Sequence, residues 1–167
     1  MSKNALSAIA LTNEYCHAIE TCAEGTREML VARMLKLLPR IYSAISDVDI
    51  QCGYDDYCIE PALDEVAYDQ VRDTIAAIMA DDDVYLEVFV DDMKYSDTPI
   101  SAFVSENLAD LYQEFYNLVQ SVKDAPEEYR TSLVEQCKEN FVEYWGQTLC
   151  NVLRALNSVF YNMNDDY

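Results

Sequence analysis

Val104-Ser105-Glu106-Asn107-Leu108-Ala109-Asp110-Leu111-Tyr112-Gln113-Glu114-Phe115-Tyr116-Asn117-Leu118-Val119-Gln120-Ser121-Val122 decides the fold. Val104, Leu108, Leu111, Phe115, Leu118 and Val122 are spaced 4-3-4-3-4, the seam of a helix that packs in a bundle. Acids stand between the apolar positions, so the same helix has a charged face. Pairs one turn apart include Glu106/Asp110 and Asp110/Glu114.

Outward from this helix, the flanking sequence is also helical. Residues 4–23 read as a first helix closed near Gly25. Thr26 caps a second, whose Met29, Leu30, Met34, Leu37, Leu38, Ile41 and Ile45 keep helical spacing, with Pro39 expected to kink or split it. A third helix is expected to run to about Ala80 and to bury Val66, Val71, Ile75, Ile78 and Met79. Asp81-Asp82-Asp83 offers an N-cap to the next element. Residues 84–90, Val-Tyr-Leu-Glu-Val-Phe-Val, are read as a short helix, with an extended edge segment as the alternative. Thr98-Pro99 reads as the start of the helix that holds the seam. Pro126 opens a last long helix, with Leu133, Phe141, Tyr144, Trp145, Leu149, Val152, Leu156, Val159 and Phe160 as its apolar positions. Gly146 inside that helix implies the close approach of another helix.

Three glycines and four prolines in 167 residues are too few for an all-β fold, which needs many tight turns. The expected architecture is all-α: one domain over 1–167, an irregular bundle of five or six helices, with an acidic, loop-rich segment near 47–61. Half of the residues are apolar, so the chain packs a core rather than staying disordered. No run approaches the ~20 apolar residues of a membrane span. The start is too short and too polar for a secretory signal, so the expected address is cytoplasmic. Six cysteines are then reduced thiols. Cys16, Cys137 and Cys150 read as small buried hydrophobes, and Cys52 and Cys58 flank a loop that a disulfide could close.

Charge carries the strongest hint about partners. The net charge is −20. Residues 1–46 hold five Lys/Arg and four Glu, whereas residues 47–114 hold nineteen Asp/Glu against Arg72 and Lys94. Such a segment repels phosphate backbones and anionic lipids, which argues against nucleic-acid and membrane partners and for a basic protein. Tyr54, Tyr57 and Tyr95, with Asp91, Asp92 and Asp97 beside the last, are the candidate binding residues, because tyrosine is enriched at interfaces.

Catalytic signatures are sparse. Asp47-Val48-Asp49-Ile50-Gln51-Cys52 begins like a calcium loop but has Cys52 where glycine is needed and Cys58 where glutamate is needed. Glu14 and His17 have the Glu-x-x-His spacing of di-iron bundles, but His17 is the chain's one histidine. No phosphate loop, dinucleotide fingerprint or nucleophile elbow occurs. No metal or cofactor is expected. The leading class is a non-enzymatic module that binds a basic protein. The rivals are a metal-dependent hydrolase built on helix carboxylates around Glu106 and Asp110, and a DNA mimic. Arg154, inside Val152-Leu153-Arg154-Ala155-Leu156, is expected to be buried and paired with Asp110, or with Glu106.

Four segments also carry a family likeness: Asp92-Met93-Lys94-Tyr95-Ser96-Asp97-Thr98-Pro99, Ser105-Glu106-Asn107-Leu108-Ala109-Asp110-Leu111-Tyr112, Tyr144-Trp145-Gly146-Gln147 and Leu153-Arg154-Ala155-Leu156. They resemble the bacterial family catalogued as domain of unknown function 5063. The likeness is strongest over residues 84–160, and residues 1–60 match only in general character. The resemblance implies a small helical bacterial protein and no activity, ligand or catalytic residue.

Overall fold

The computed structural model describes residues 1–51, 57–87, 94–95 and 98–162. Helices α1 (Lys3–Glu20) and α2 (Arg27–Ser46) pack on each other, α3 (Glu65–Met79) packs on α4 (Val104–Asp124), and α4 also packs on α1. Strands β1 (Val84–Glu87) and β2 (Ile100–Phe103) stand between α3 and α4 in the chain. Helices α5 (Arg130–Asn140) and α6 (Gly146–Asn162) are joined by a π-helical turn, Phe141–Trp145, and α6 packs on α2 and α4. The result is a mostly helical single-domain bundle with one two-stranded sheet among the described residues.

Local chemistry fixes the starts of the helices. Ser2, Thr26 and Asp64 accept from the backbone N–H groups of Ala5, Met29 and Ala67 at 3.2, 3.3 and 2.8 Å, which satisfies donors that a first turn leaves unpaired. Helix α4 takes its cap from elsewhere. Asp83 Oδ1 accepts from the Ser105 N–H at 2.7 Å and Oδ2 from the Ser105 hydroxyl at 2.8 Å, and both residues are buried. Within the aspartate run Asp83 is therefore the cap, acting on Ser105 twenty-two residues on and not on the element that follows it in the chain.

All six seam residues of α4 are buried. Tyr15, fully buried, donates to the Leu108 carbonyl at 2.8 Å and meets Phe115 edge-on, tying α1 to the middle of the seam. Lys138 donates to the carbonyls of Ile45 and Ser46 at 3.1 and 2.7 Å, closing the end of α2. The segment before α3 is strapped down by side-chain amides. Asn117 Oδ1 accepts from the N–H groups of Ala62 and Leu63, and Gln136 accepts from Ile59 and donates to the Tyr57 carbonyl. Extended backbone without a strand partner gets its hydrogen bonds this way.

Of the two outcomes expected at Pro39, the split does not occur, since Pro39 lies inside an unbroken α2. Other expectations need correction. Residues 84–87 form a strand, paired antiparallel with Ile100–Phe103, which is the extended alternative and not the short helix, while residues 88–90 lie outside the described residues; no helix starts at Thr98-Pro99, and α4 begins at Val104. The β-branched and aromatic side chains there suit a pleated ribbon better than a helix. Val66 is 66% exposed, because α3 turns only Ile75 and Met79 fully into the core. The chain leaves α3 through Ala80, whose φ of 51° lies in the left-handed region. Cys16 and Cys137 are buried, but Cys150 is exposed, and Cys52 lies outside the described residues.

The π turn explains two more differences. The Gly146 N–H bonds the Phe141 carbonyl five residues back. A Cβ at Gly146 would stand 2.6 Å from that carbonyl and 2.9 Å from the Phe141 ring. The glycine thus admits its own preceding turn, not another helix. In this wider turn, position i+4 stays over i while i+3 swings aside. Trp145 accordingly remains fully buried near Phe141 and Phe115, while Tyr144 is 52% exposed instead of joining the core.

Two substitutions probe these features. Gly146→Ala should lower unfolding free energy by about 1–3 kcal/mol, as overpacking does; an unchanged urea midpoint would show that the turn tolerates a methyl group. Asp83→Ala leaves the Ser105 N–H and hydroxyl without acceptors and should cost about 1–3 kcal/mol. Urea unfolding also checks this, and a loss below a few tenths would mean that the cap contributes little.

Candidate functional site

The acidic face of α4 meets α3 on one side and the π turn on the other, and Asp110 lies where they join. Tyr68, from α3, donates its phenol to Asp110 Oδ1 at 2.7 Å. Tyr144, displaced from the core by the π turn, donates to Oδ2 at 3.4 Å. One carboxylate therefore binds two phenols from separate elements. Burial raises the pKa of both tyrosines, and the charge of Asp110 raises them further. Glu106 adds to the shift at Tyr68 and Glu114 to that at Tyr144. Both phenols stay protonated at neutral pH and serve as donors.

Glu114, one turn beyond Asp110, is partly buried. Burial lifts its pKa above the ordinary value of 4.5, the Asp110 charge adds to this, and the Asn140 amide at 3.5 Å opposes it. Arg72, on α3, lies close enough to Tyr68 to lower its pKa. Its guanidinium contacts Asp69 Oδ1 at 2.8 Å and Asp73 Oδ1 at 2.9 Å. Asp69 and Asp73 thus hold the guanidinium, Asp110 bridges the two phenols, Glu106 acts on Tyr68 and Glu114 acts on Tyr144. Such an arrangement can hold a cation by charge, by hydrogen bonding and by the aromatic rings. Among the described residues, no three acidic, cysteine or histidine side chains converge as a metal site would require.

Of the residues expected from sequence, Asp110 and Glu106 belong to this cluster. Tyr57 stacks on Tyr129 with ring centroids 4.2 Å apart, and Tyr95 is 91% exposed. Tyr54, Asp91, Asp92 and Asp97 lie outside the described residues. The expected pair of Arg154 with Asp110 or Glu106 is not formed. Arg154 is exposed on α6, and Asp110 is engaged by the two phenols. An arginine flanked by apolar residues needs no buried partner when its own position faces outward. Glu14 contacts Arg40 at 3.5 Å, and His17 is exposed. Sequence reasoning misses Tyr68 and Asn140, takes Tyr144 for a core position, and has Glu114 only as one member of an acid pair. Gly146 was the available signal for Tyr144, since it marks the turn that re-aims that side chain.

The model of the family described as "Domain of unknown function (DUF5063)" matches residues 1–162, and the chain belongs to that family. The match includes the N-terminal part, where likeness was expected to be weak. The chain is also similar to the crystal structure of protein BF1032 from Bacteroides fragilis, a structural-genomics target. That structure is 30% identical, with a TM-score of 0.83 over 95% of this chain and 92% of that one. No curated protein matches the chain.

The raised carboxyl of Glu114 has a definite sign. Below pH 4.5 the group is protonated in both folded and unfolded chains. From there up to its raised folded value, the folded chain binds more protons, so stability falls as pH rises. Glu114→Gln should match the parent near pH 4 and exceed it in stability at pH 7. Denaturant unfolding at both pH values tests this; a variant less stable than the parent at pH 7 would contradict the assignment.

Proposed function

We propose that this protein is a non-enzymatic binding module whose α3–α4 face receives a basic segment of a partner protein. The observation that carries this reading is the Tyr68–Asp110–Tyr144 arrangement within a field of carboxylates. The phenols hold Asp110 in place, Glu106 adds negative charge at Tyr68, and Asp69 and Asp73 outnumber the one guanidinium they hold. An incoming lysine or arginine gains a fixed acceptor, a negative potential and ring faces. Val66, exposed on α3, offers apolar contact at the same helix. A bacterial, cytoplasmic setting, with no membrane or nucleic-acid partner, belongs to the same proposal. The organism of the similar structure supports the first part of it, and the −20 net charge supports the last.

The test uses labelled nona-arginine and fluorescence anisotropy. Binding should weaken as salt rises from about 50 to about 300 mM, in line with screening of exposed charge. The triple variant Asp69→Asn, Asp73→Asn, Glu106→Gln should weaken it several-fold more than neutralising Glu128, Glu139 and Glu143 on α5 and its flanks. Equal effects of the two triples would show that only net charge matters. Tight binding of duplex DNA in a mobility-shift assay would overturn the partner class.

A further inference from the structure

A groove of about 610 Å³ lies between β1 and α6, lined by Tyr85, Leu86, Asn151, Arg154, Asn157 and Ser158 among others. Tyr85 and Leu86 are consecutive strand residues, so their side chains leave opposite faces of the sheet. A cavity that touches both, and no residue of β2, runs along the edge of β1 rather than over a face. Among the described residues β1 pairs only with β2. Alternate residues of β1 therefore turn their N–H and C=O groups away from β2 and toward this groove.

The two faces beside that edge differ. Val84 and Leu86 are 51% and 58% exposed, and Phe103, opposite Val84, adds to the same apolar face. The other face looks inward. Tyr85 donates to Asn107 of α4, and Asn151 of α6 donates to Glu87 at 3.1 Å, fixing the end of β1 against α6. Arg154 is the one cation of α6. Among the described residues it takes part in none of the ion pairs, although the chain is strongly acidic.

We infer that this groove binds an extended peptide segment of another protein as a third strand on β1, with a peptide carboxylate on Arg154. The main chain of the peptide satisfies the outward backbone groups of β1. Its side chains alternate: one set extends the apolar face of Val84 and Leu86, the other points to α6. There Arg154 presents a forked donor suited to a carboxylate, with the Asn157 and Ser158 side chains beside it. The ligand is thus a short β-forming sequence with an acidic residue between apolar ones. This site is independent of the α3–α4 face and takes a ligand of opposite charge.

A phage-displayed random heptapeptide library panned on the immobilised full-length chain tests this, followed by anisotropy with the selected peptides. Enriched peptides should share an acidic residue flanked by β-branched or aromatic ones. Arg154→Ala should weaken them about tenfold or more, the usual scale for a charge-assisted hydrogen bond. Methylating alternate backbone nitrogens of the peptide should abolish binding, and methylating the intervening ones should not. Arg154→Glu should prefer the same peptide with lysine at the acidic position, which separates a lost contact from a damaged fold. Asp69→Asn with Asp73→Asn should leave these peptides unaffected. The inference is overturned if nothing is enriched over blank support, or if Arg154→Ala binds as tightly as the parent. It is equally overturned if the enriched peptides are basic and lose binding in the Asp69/Asp73 variant.

Discussion

The close approach of Gly146 to Phe141 sets the geometry on which the acidic site depends. A methyl group at position 146 would overlap the Phe141 carbonyl, so only glycine permits this π turn without displacement. The wider turn keeps Phe141 and Trp145 in the core and turns Tyr144 toward Asp110. Without it, Tyr144 would continue the apolar stripe of the last helix, and Asp110 would have one phenol instead of two. A packing constraint in the core thus decides which side chain reaches the surface cluster.

Helix α4 joins the core to the acidic surface. Its seam is among the most completely buried surfaces of the molecule, and its opposite face holds three carboxylates one turn apart. Carboxylates at that spacing repel one another. The structure offsets the repulsion locally: Asp110 accepts from two phenols, and Glu114 sits at Asn140 and is easier to protonate than an ordinary glutamate. Glu106 is exposed and solvated. The same helix is held at its start by Asp83, so the hairpin base and the acidic face are mechanically continuous.

Much of the fold was legible in the sequence because helix seams are periodic and local. The six positions of α4, the Thr26 cap and the burial of Trp145, Leu149, Val152 and Leu156 all follow from spacing and from cap chemistry. The failures share a cause, which is that the deciding partner was distant or the period changed. Asp83 caps a helix with which it shares no local pattern. Residues 84–87 needed Ile100–Phe103 opposite them to be recognised as a strand. Ala80 makes its turn without the glycine that would have announced it. Tyr144 followed the α-helical period up to the one turn where that period widens. For the site, Asp110 and Glu106 were visible as acids on a seam helix, but Tyr68 comes from another helix and Tyr144 from the irregular turn. The apolar neighbours of Arg154 imply burial, whereas the helix turns its position outward.

One carboxylate, Asp110, holds Tyr68 and Tyr144 together through the π turn, and titration of the phenols tests this most directly. Tyrosine labelled with ¹³C at the ring carbon bearing the hydroxyl allows each phenol to be followed by NMR in the parent and in Asp110→Asn. Tyr68 and Tyr144 should both titrate at lower pH in the variant, as the negative charge beside them is removed, while Tyr112, bonded to Glu20, is unchanged. A Tyr144 titration that ignores the substitution would contradict the placement of that side chain on Asp110.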